Sequence, residues 1–192
     1  MCSRTTFDNV TQLSNIEQLS IVWCQIQELT HLLQYSPCLS TLKATICGLN
    51  DVDQWTQTIR GNLNQKCSSR LNSLKLVVDS IRFDHLLILL HELRQLRSLW
   101  LLLNHHEYLD TEKWENLFQT SLLHLDQLDL TIALTKPFLS INSPNQLLMF
   151  SSPHIACTKF NTNFWLHRGW RAKLDEYDHC VRLTVSNNTL PI

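Results

Sequence analysis

Seven cysteines and nine histidines are the side chains of this 192-residue chain best suited to hold a metal or attack a substrate. Their spacing argues against both. The cysteine count is odd and no Cys-x-x-Cys pair occurs, so neither a zinc site nor a closed disulfide set is spelled out. His105 and His106 are adjacent, and neighbours in a loop rarely converge on one ion. No Cys or His follows them at ligand spacing. Asp110, Glu112 and Glu115 could be read as paired carboxylates, but acids in a helix's first turn are accounted for by the helix dipole. Asp175, Glu176 and Asp178 read as a solvated face. There is no nucleophile elbow, no phosphate-binding glycine loop and no H-E-x-x-H. The chain is therefore expected not to be an enzyme and to need neither metal nor cofactor.

Cys24 and Cys47 do obey a pattern, set by the leucines around them. Leu96, Leu99 and Leu101 with Asn104 match one unit of a leucine-rich repeat, L-x-x-L-x-L-x-x-N/C. The same spacing gives Ile16, Leu19, Ile21 and Cys24, then Leu39, Leu42, Ala44 and Cys47. It gives Leu71, Leu74, Leu76 and Asp79, and then Leu125, Leu128 and Leu130. Two weaker copies start at Ile155, with Thr158 and Phe160, and at Cys180, with Leu183 and Val185. The starts are thus 16, 39, 71, 96, 125, 155 and 180, with steps from 23 (16 to 39) to 32 (39 to 71). In the ninth place a Cys or Asn can hydrogen-bond backbone as the strand turns away, a structural role for the two thiols.

Between these strands the intervals read as helices. Gln25 to Tyr35 puts Ile26, Leu29, Leu32 and Leu33 on one stripe, ended by Ser36-Pro37. Asn50 to Gln65, Asp84 to Gln95 and Glu112 to Gln119 (the last capped by Asp110 or Thr111) carry similar stripes. Ser143-Pro144 starts a short helix to about Phe150, and Leu166 to Tyr177 is read as a last one with Trp170 and Leu174 inward. Neither a strand edge nor a helix stripe can be hidden alone, and each buried leucine contributes roughly 1.5–3 kcal/mol, so the units must stack. The expected fold is α/β: one irregular leucine-rich-repeat solenoid over residues 1–192, with a parallel sheet on its concave side and helices on its convex side.

Lysine plus arginine (16) nearly balances aspartate plus glutamate (17), so there is no basic footprint for nucleic acid. No apolar run approaches the roughly 20 residues of a membrane span, and Met1 to Thr6 leads into no apolar signal segment. The thiols are then expected to be reduced, in the cytoplasm or nucleus. There the sequons at Asn9 and Asn187 have no glycosylation to direct.

Alternate strand residues are left facing outward on the concave side. The middle column reads Ser20, Lys43, Lys75, Trp100, Asp129, Lys159 and Thr184, and the next contains Val22, Thr45, Val77 and Leu102. Trp100, Leu102 and Val77 form an apolar island beside Lys43, Lys75 and Asp129, the mixture found at binding hot spots. These six residues are the candidate contacts for a protein partner; neither nucleic acid nor membrane is expected.

The irregular steps, strand-then-helix units, reduced cysteines and scattered tryptophans resemble the C-terminal repeat region of F-box leucine-rich-repeat proteins. The likeness covers roughly residues 13–134, and the weak copies extend it to the C-terminus. It implies a protein-interaction role: selecting substrates for a cullin ubiquitin ligase. In that family an F-box docks on the ligase adaptor. None precedes Ile16, and no polar capping unit closes the seventh copy. The adaptor is then a partner only through an F-box beyond this sequence, and the chain is expected to be a fragment or diverged derivative of a longer protein. The alternative is a binding module of the ribonuclease-inhibitor or nucleotide-sensing receptor type.

Overall fold

A computed structural model describes residues 15–48, 70–135 and 152–187. One seven-stranded sheet organises them. Strand β1 (Gln18–Gln25) runs directly into helix α1 (Ile26–Tyr35), followed by β2 (Thr41–Cys47) and β3 (Ser73–Asp79). Next come α2 (Phe83–Glu92), β4 (Ser98–Leu103), a 3-10 turn (His106–Leu109), α3 (Thr111–Thr120) and β5 (Gln127–Thr135). Helices α4 (Ser152–Lys159) and α5 (Asn163–His167) lead to β6 (Arg171–Glu176) and β7 (Cys180–Ser186). The sheet order is β1-β2-β3-β4-β5-β7-β6.

The first five strands are parallel and stand in a common register. Leu42, Leu74, Leu99 and Leu128 are consecutive partners, as are Ala44, Leu76, Leu101 and Leu130. One backbone carbonyl before each strand accepts two N–H groups from the next. Glu17 takes those of Ser40 and Thr41, Ser40 those of Asn72 and Ser73, Asn72 those of Arg97 and Ser98, and Arg97 those of Asp126 and Gln127. Because side chains alternate across a strand, this register puts one set of leucines into a single core with the helices. Leu29 and Leu33 of α1, Phe83, Leu86 and Leu90 of α2, and Trp114, Leu117 and Phe118 of α3 close that core. No described element packs on the opposite face.

The helices are fixed at their starts by carboxylates. Glu28 accepts from the Gln25 N–H (2.9 Å), Glu107 from that of Phe83 (3.1 Å) and Asp110 from that of Lys113 (3.2 Å). Gly48 has a steric role. A Cβ there would stand 2.0 Å from the Ser80 carbonyl oxygen, so only glycine lets the two turns approach. The helices read at Asn50–Gln65 and Ser143–Phe150 lie outside the described residues.

The expectation of an all-parallel leucine-rich-repeat solenoid is corrected here, because the sheet is mixed. Ile155 to Phe160, read as a sixth strand, is α4 and the residue after it. Leu166 to Tyr177, read as a helix, contains the end of α5 and the strand β6. Strand β7 falls where the seventh copy was placed but runs antiparallel to both β5 and β6. The cause is the length of its connection. Only Tyr177, Asp178 and His179 separate β6 from β7, and the Tyr177 N–H donates to the Cys180 carbonyl at 2.8 Å. A parallel crossover needs a dozen or more residues, so three residues can close only a hairpin.

That hairpin is joined to the rest by an aromatic chain on the covered side. Trp165 stacks edge-on against Phe160 (4.7 Å), Phe164 (5.4 Å) and Phe118 (5.6 Å), and Phe118 meets Trp170 at 5.1 Å. The Trp165 indole N–H donates to Glu115 (2.8 Å), and the Arg168 guanidinium donates to the Phe118 carbonyl (3.1 Å). Deeper in, the Tyr108 hydroxyl donates to the Ile81 carbonyl and the Trp114 N–H to the Tyr108 carbonyl. No helix among the described residues is long and apolar enough to cross a membrane.

Candidate functional site

Lys43, Lys75, Trp100 and Asp129 are consecutive cross-strand partners on β2, β3, β4 and β5. One row along, Val77 and Leu102 pair beside Thr45 and Thr131. The structure thus gathers all six expected contact residues on the open face. It does so because they are the odd-numbered partners of the buried leucines on β2, β3 and β5 and their even-numbered counterparts on β4. Lys43 and Lys75 are exposed; Trp100, Asp129, Val77 and Leu102 are half-buried.

Trp100 and Asp129 stand opposite each other on β4 and β5. Partial burial raises the Asp129 pKa above its ordinary value of 3.8, opposed by the neighbouring Trp100 side chain and the Lys75 charge. Beyond Asp129 the expected order changes. Its neighbour on β7 is Ser186, followed by Arg171 on β6, whereas Lys159 closes helix α4 and Thr184 stands opposite Thr131.

One exposed aromatic escaped the sequence reading. Strand β1 has a bulge: Ile21 pairs with Ala44 and Cys24 with Ile46, so Val22 and Trp23 together oppose Thr45. They are 90% and 45% exposed, and they extend the apolar row of Val77 and Leu102 to the edge of the sheet. A repeat template assumes constant spacing, so nothing in it signals a bulge. The bulge also places Cys24 opposite Ile46, while Cys47 opposes Gln25.

The other chemistry-bearing residues have structural positions. The Cys47 thiol donates to the Cys24 carbonyl at 3.7 Å. Burial, with smaller contributions from Glu28 and Cys47, pushes the Cys24 thiol up to about 12, leaving it protonated and unreactive. His105 and His106 are exposed with ring centroids 4.2 Å apart, and the His105 Nδ1 accepts from the Glu107 N–H. Among the described residues, no three His, Cys, Asp or Glu side chains converge as a metal site. The parallel strands follow chain order without a reversal, so the described sheet has no switch-point crevice of the kind that holds cofactors in doubly wound sheets.

One histidine pair gives a pH prediction. His91 Nδ1 and the buried Ser121 hydroxyl share a hydrogen bond at 2.6 Å. Burial holds the His91 imidazole below its ordinary value of 6.5, and His85 is lowered by burial and by Arg82. The unfolded chain therefore takes up these protons first as pH falls. Their contribution to stability is fully present above about pH 6.5 and is lost as pH drops from there through the lower folded-state values. Urea midpoints should fall between pH 7.5 and pH 5.5, and His91→Gln should shrink that fall. An unchanged pH dependence in the variant would remove His91 from the explanation.

No protein-family model matches the chain, and no curated protein matches it. Similar solved structures include a putative methyltransferase from Pseudomonas syringae, at 14% identity and a TM-score of 0.27 over 91% of each chain. They also include a spermidine synthase from Thermotoga maritima, at 12% identity and a TM-score of 0.31, over 96% of this chain and 58% of that one. Both of these neighbours are enzymes by name. The expectation of a leucine-rich-repeat fold is withdrawn because the sheet is mixed, with β7 antiparallel to β5 and β6; the expectations of a ligase substrate receptor or other repeat scaffold, which rested on the repeat, and of a chain without catalysis are withdrawn with it. The TM-scores are too low to pass either activity to this chain.

Proposed function

We propose that the open face of the sheet is a polypeptide-binding surface centred on Trp100. The observation that carries this reading is the row of cross-strand partners Lys43, Lys75, Trp100 and Asp129, which sets a half-buried ring among charged groups on a face that no described element covers. Tryptophan is among the side chains most enriched at energetic hot spots. Lys43 and Lys75 flank it with charge, while Val77 and Leu102 supply apolar surface one row away.

Selection of displayed random peptides on the folded chain tests the reading. Selected peptides should lose about tenfold or more in affinity with Trp100→Ala, a loss of about 1.4 kcal/mol or more. They should bind Leu123→Ala normally, since Leu123 is exposed beyond the end of α3, away from the open face. Peptides that are indifferent to Trp100→Ala, or a chain that selects none, would refute the proposal.

A further inference from the structure

The open face has a charge pattern that points to the chemistry of its occupant. Lys43 and Lys75 stand directly opposite each other on adjacent strands, and like charges so placed repel. Arg82, Lys113 and Lys173 have carboxylate partners, but Lys43 and Lys75 form no ion pair among the described residues. At the far end of the same face, Arg171 on β6 and Arg182 on β7 are exposed, with Lys173 held against Asp175 at 2.8 Å. Five basic side chains therefore share this face with three acidic ones, Asp79, Asp129 and Asp175, in a chain whose totals are 16 basic and 17 acidic. All three acids have neighbours on the face itself: Asp175 holds Lys173, Asp79 accepts from the Asn104 amide at 3.1 Å, and Asp129 lies opposite Trp100.

Resting on the polypeptide-binding reading, we infer that the occupant is an acidic segment laid across the strands. Its carboxylates sit over Lys43 and Lys75 at one end and over Arg171 at the other, with an apolar centre over Trp100. The span sets the length. From β2 to β6 there are five strand steps, or about 24 Å at about 4.8 Å each, which an extended chain covers in about seven residues. Asp129 at the middle of the row discriminates against a polyanion of uniform charge such as single-stranded nucleic acid, because a phosphate there meets a carboxylate. A peptide with acids only near its ends avoids that clash.

Fluorescence anisotropy with three labelled probes tests this. They are the peptide Asp-Glu-Leu-Phe-Leu-Glu-Asp, its uncharged counterpart Asn-Gln-Leu-Phe-Leu-Gln-Asn, and a short oligothymidylate. The acidic peptide should bind about tenfold or more tighter than the other two, and its affinity should fall as salt rises. The exposed pair Lys43→Glu/Lys75→Glu should abolish that preference and gain affinity for a version of the peptide with lysine at its N-terminal two positions. Equal binding of the uncharged peptide, still weakened by Trp100→Ala, would sink the acidic occupant and leave the binding face standing. Tighter binding of the oligothymidylate would sink it in favour of nucleic acid. If no peptide binds with a dependence on Trp100, both readings fall together.

Discussion

Trp165→Ala should lower the unfolding free energy by about 3–5 kcal/mol, the range for emptying a buried aromatic site. The ring is fully buried, with Phe160, Phe164, Phe118 and Trp170 around it, so no single neighbour can move in to fill the space. The substitution also strips the Glu115 carboxylate of its N–H donor, leaving the more distant Thr162 hydroxyl at 3.4 Å. Trp165→Phe keeps most of the packing and isolates the second effect, a hydrogen bond to a charged group, at about 1.5–3 kcal/mol. Urea unfolding of the two variants separates the contributions. Loosening should begin in the β6–β7 hairpin, which reaches α3 through Trp165 and Arg168, so hydrogen exchange should lose protection there before β1–β4. A Trp165→Ala midpoint equal to that of the parent would mean that the aromatic chain does not hold the hairpin.

The same residues explain where sequence reasoning stopped. In the first five strand segments the leucines alternate at period two, and alternation alone fixes which side chains are buried and which are left outside. Trp100, Lys75 and Asp129 could therefore be placed on one face before any coordinates. Past residue 150 the signals conflict. Trp170 and Leu174 are four apart and imitate a helix stripe, yet Ala172 and Leu174 alternate with Arg171, Lys173 and Asp175 as a strand requires. The short polar break at Asp178-His179 was the legible cue for a hairpin, and a repeat template had no place for it. Before β7 the core there is built by Phe160, Trp165 and Trp170, and a pattern keyed to leucine regains its footing only at Leu183. The β1 bulge is a tertiary fact with no local sequence signature.

Alternation also makes the register testable with a single residue type. Leu99 is buried on β4 between Leu74 and Leu128, facing the helices, whereas Leu102 on the same strand lies half-buried on the open face. Leu99→Ala should cost about 2–5 kcal/mol, because the parallel neighbours are themselves fixed in register and cannot close the cavity. Leu102→Ala removes roughly half as much buried surface from a face with room to relax, and should cost about 1 kcal/mol. Peptide binding should respond in the reverse order, with Leu102→Ala weakening it and Leu99→Ala leaving it intact under conditions where the variant is still folded. A one-residue slip of β4 would exchange the two faces and invert both rankings. Equilibrium unfolding with a binding titration on the same two proteins therefore tests the strand register and the open binding face in one experiment: a stability loss larger for Leu102 than for Leu99 rules out the register, and binding indifferent to Leu102 removes the apolar row from the site.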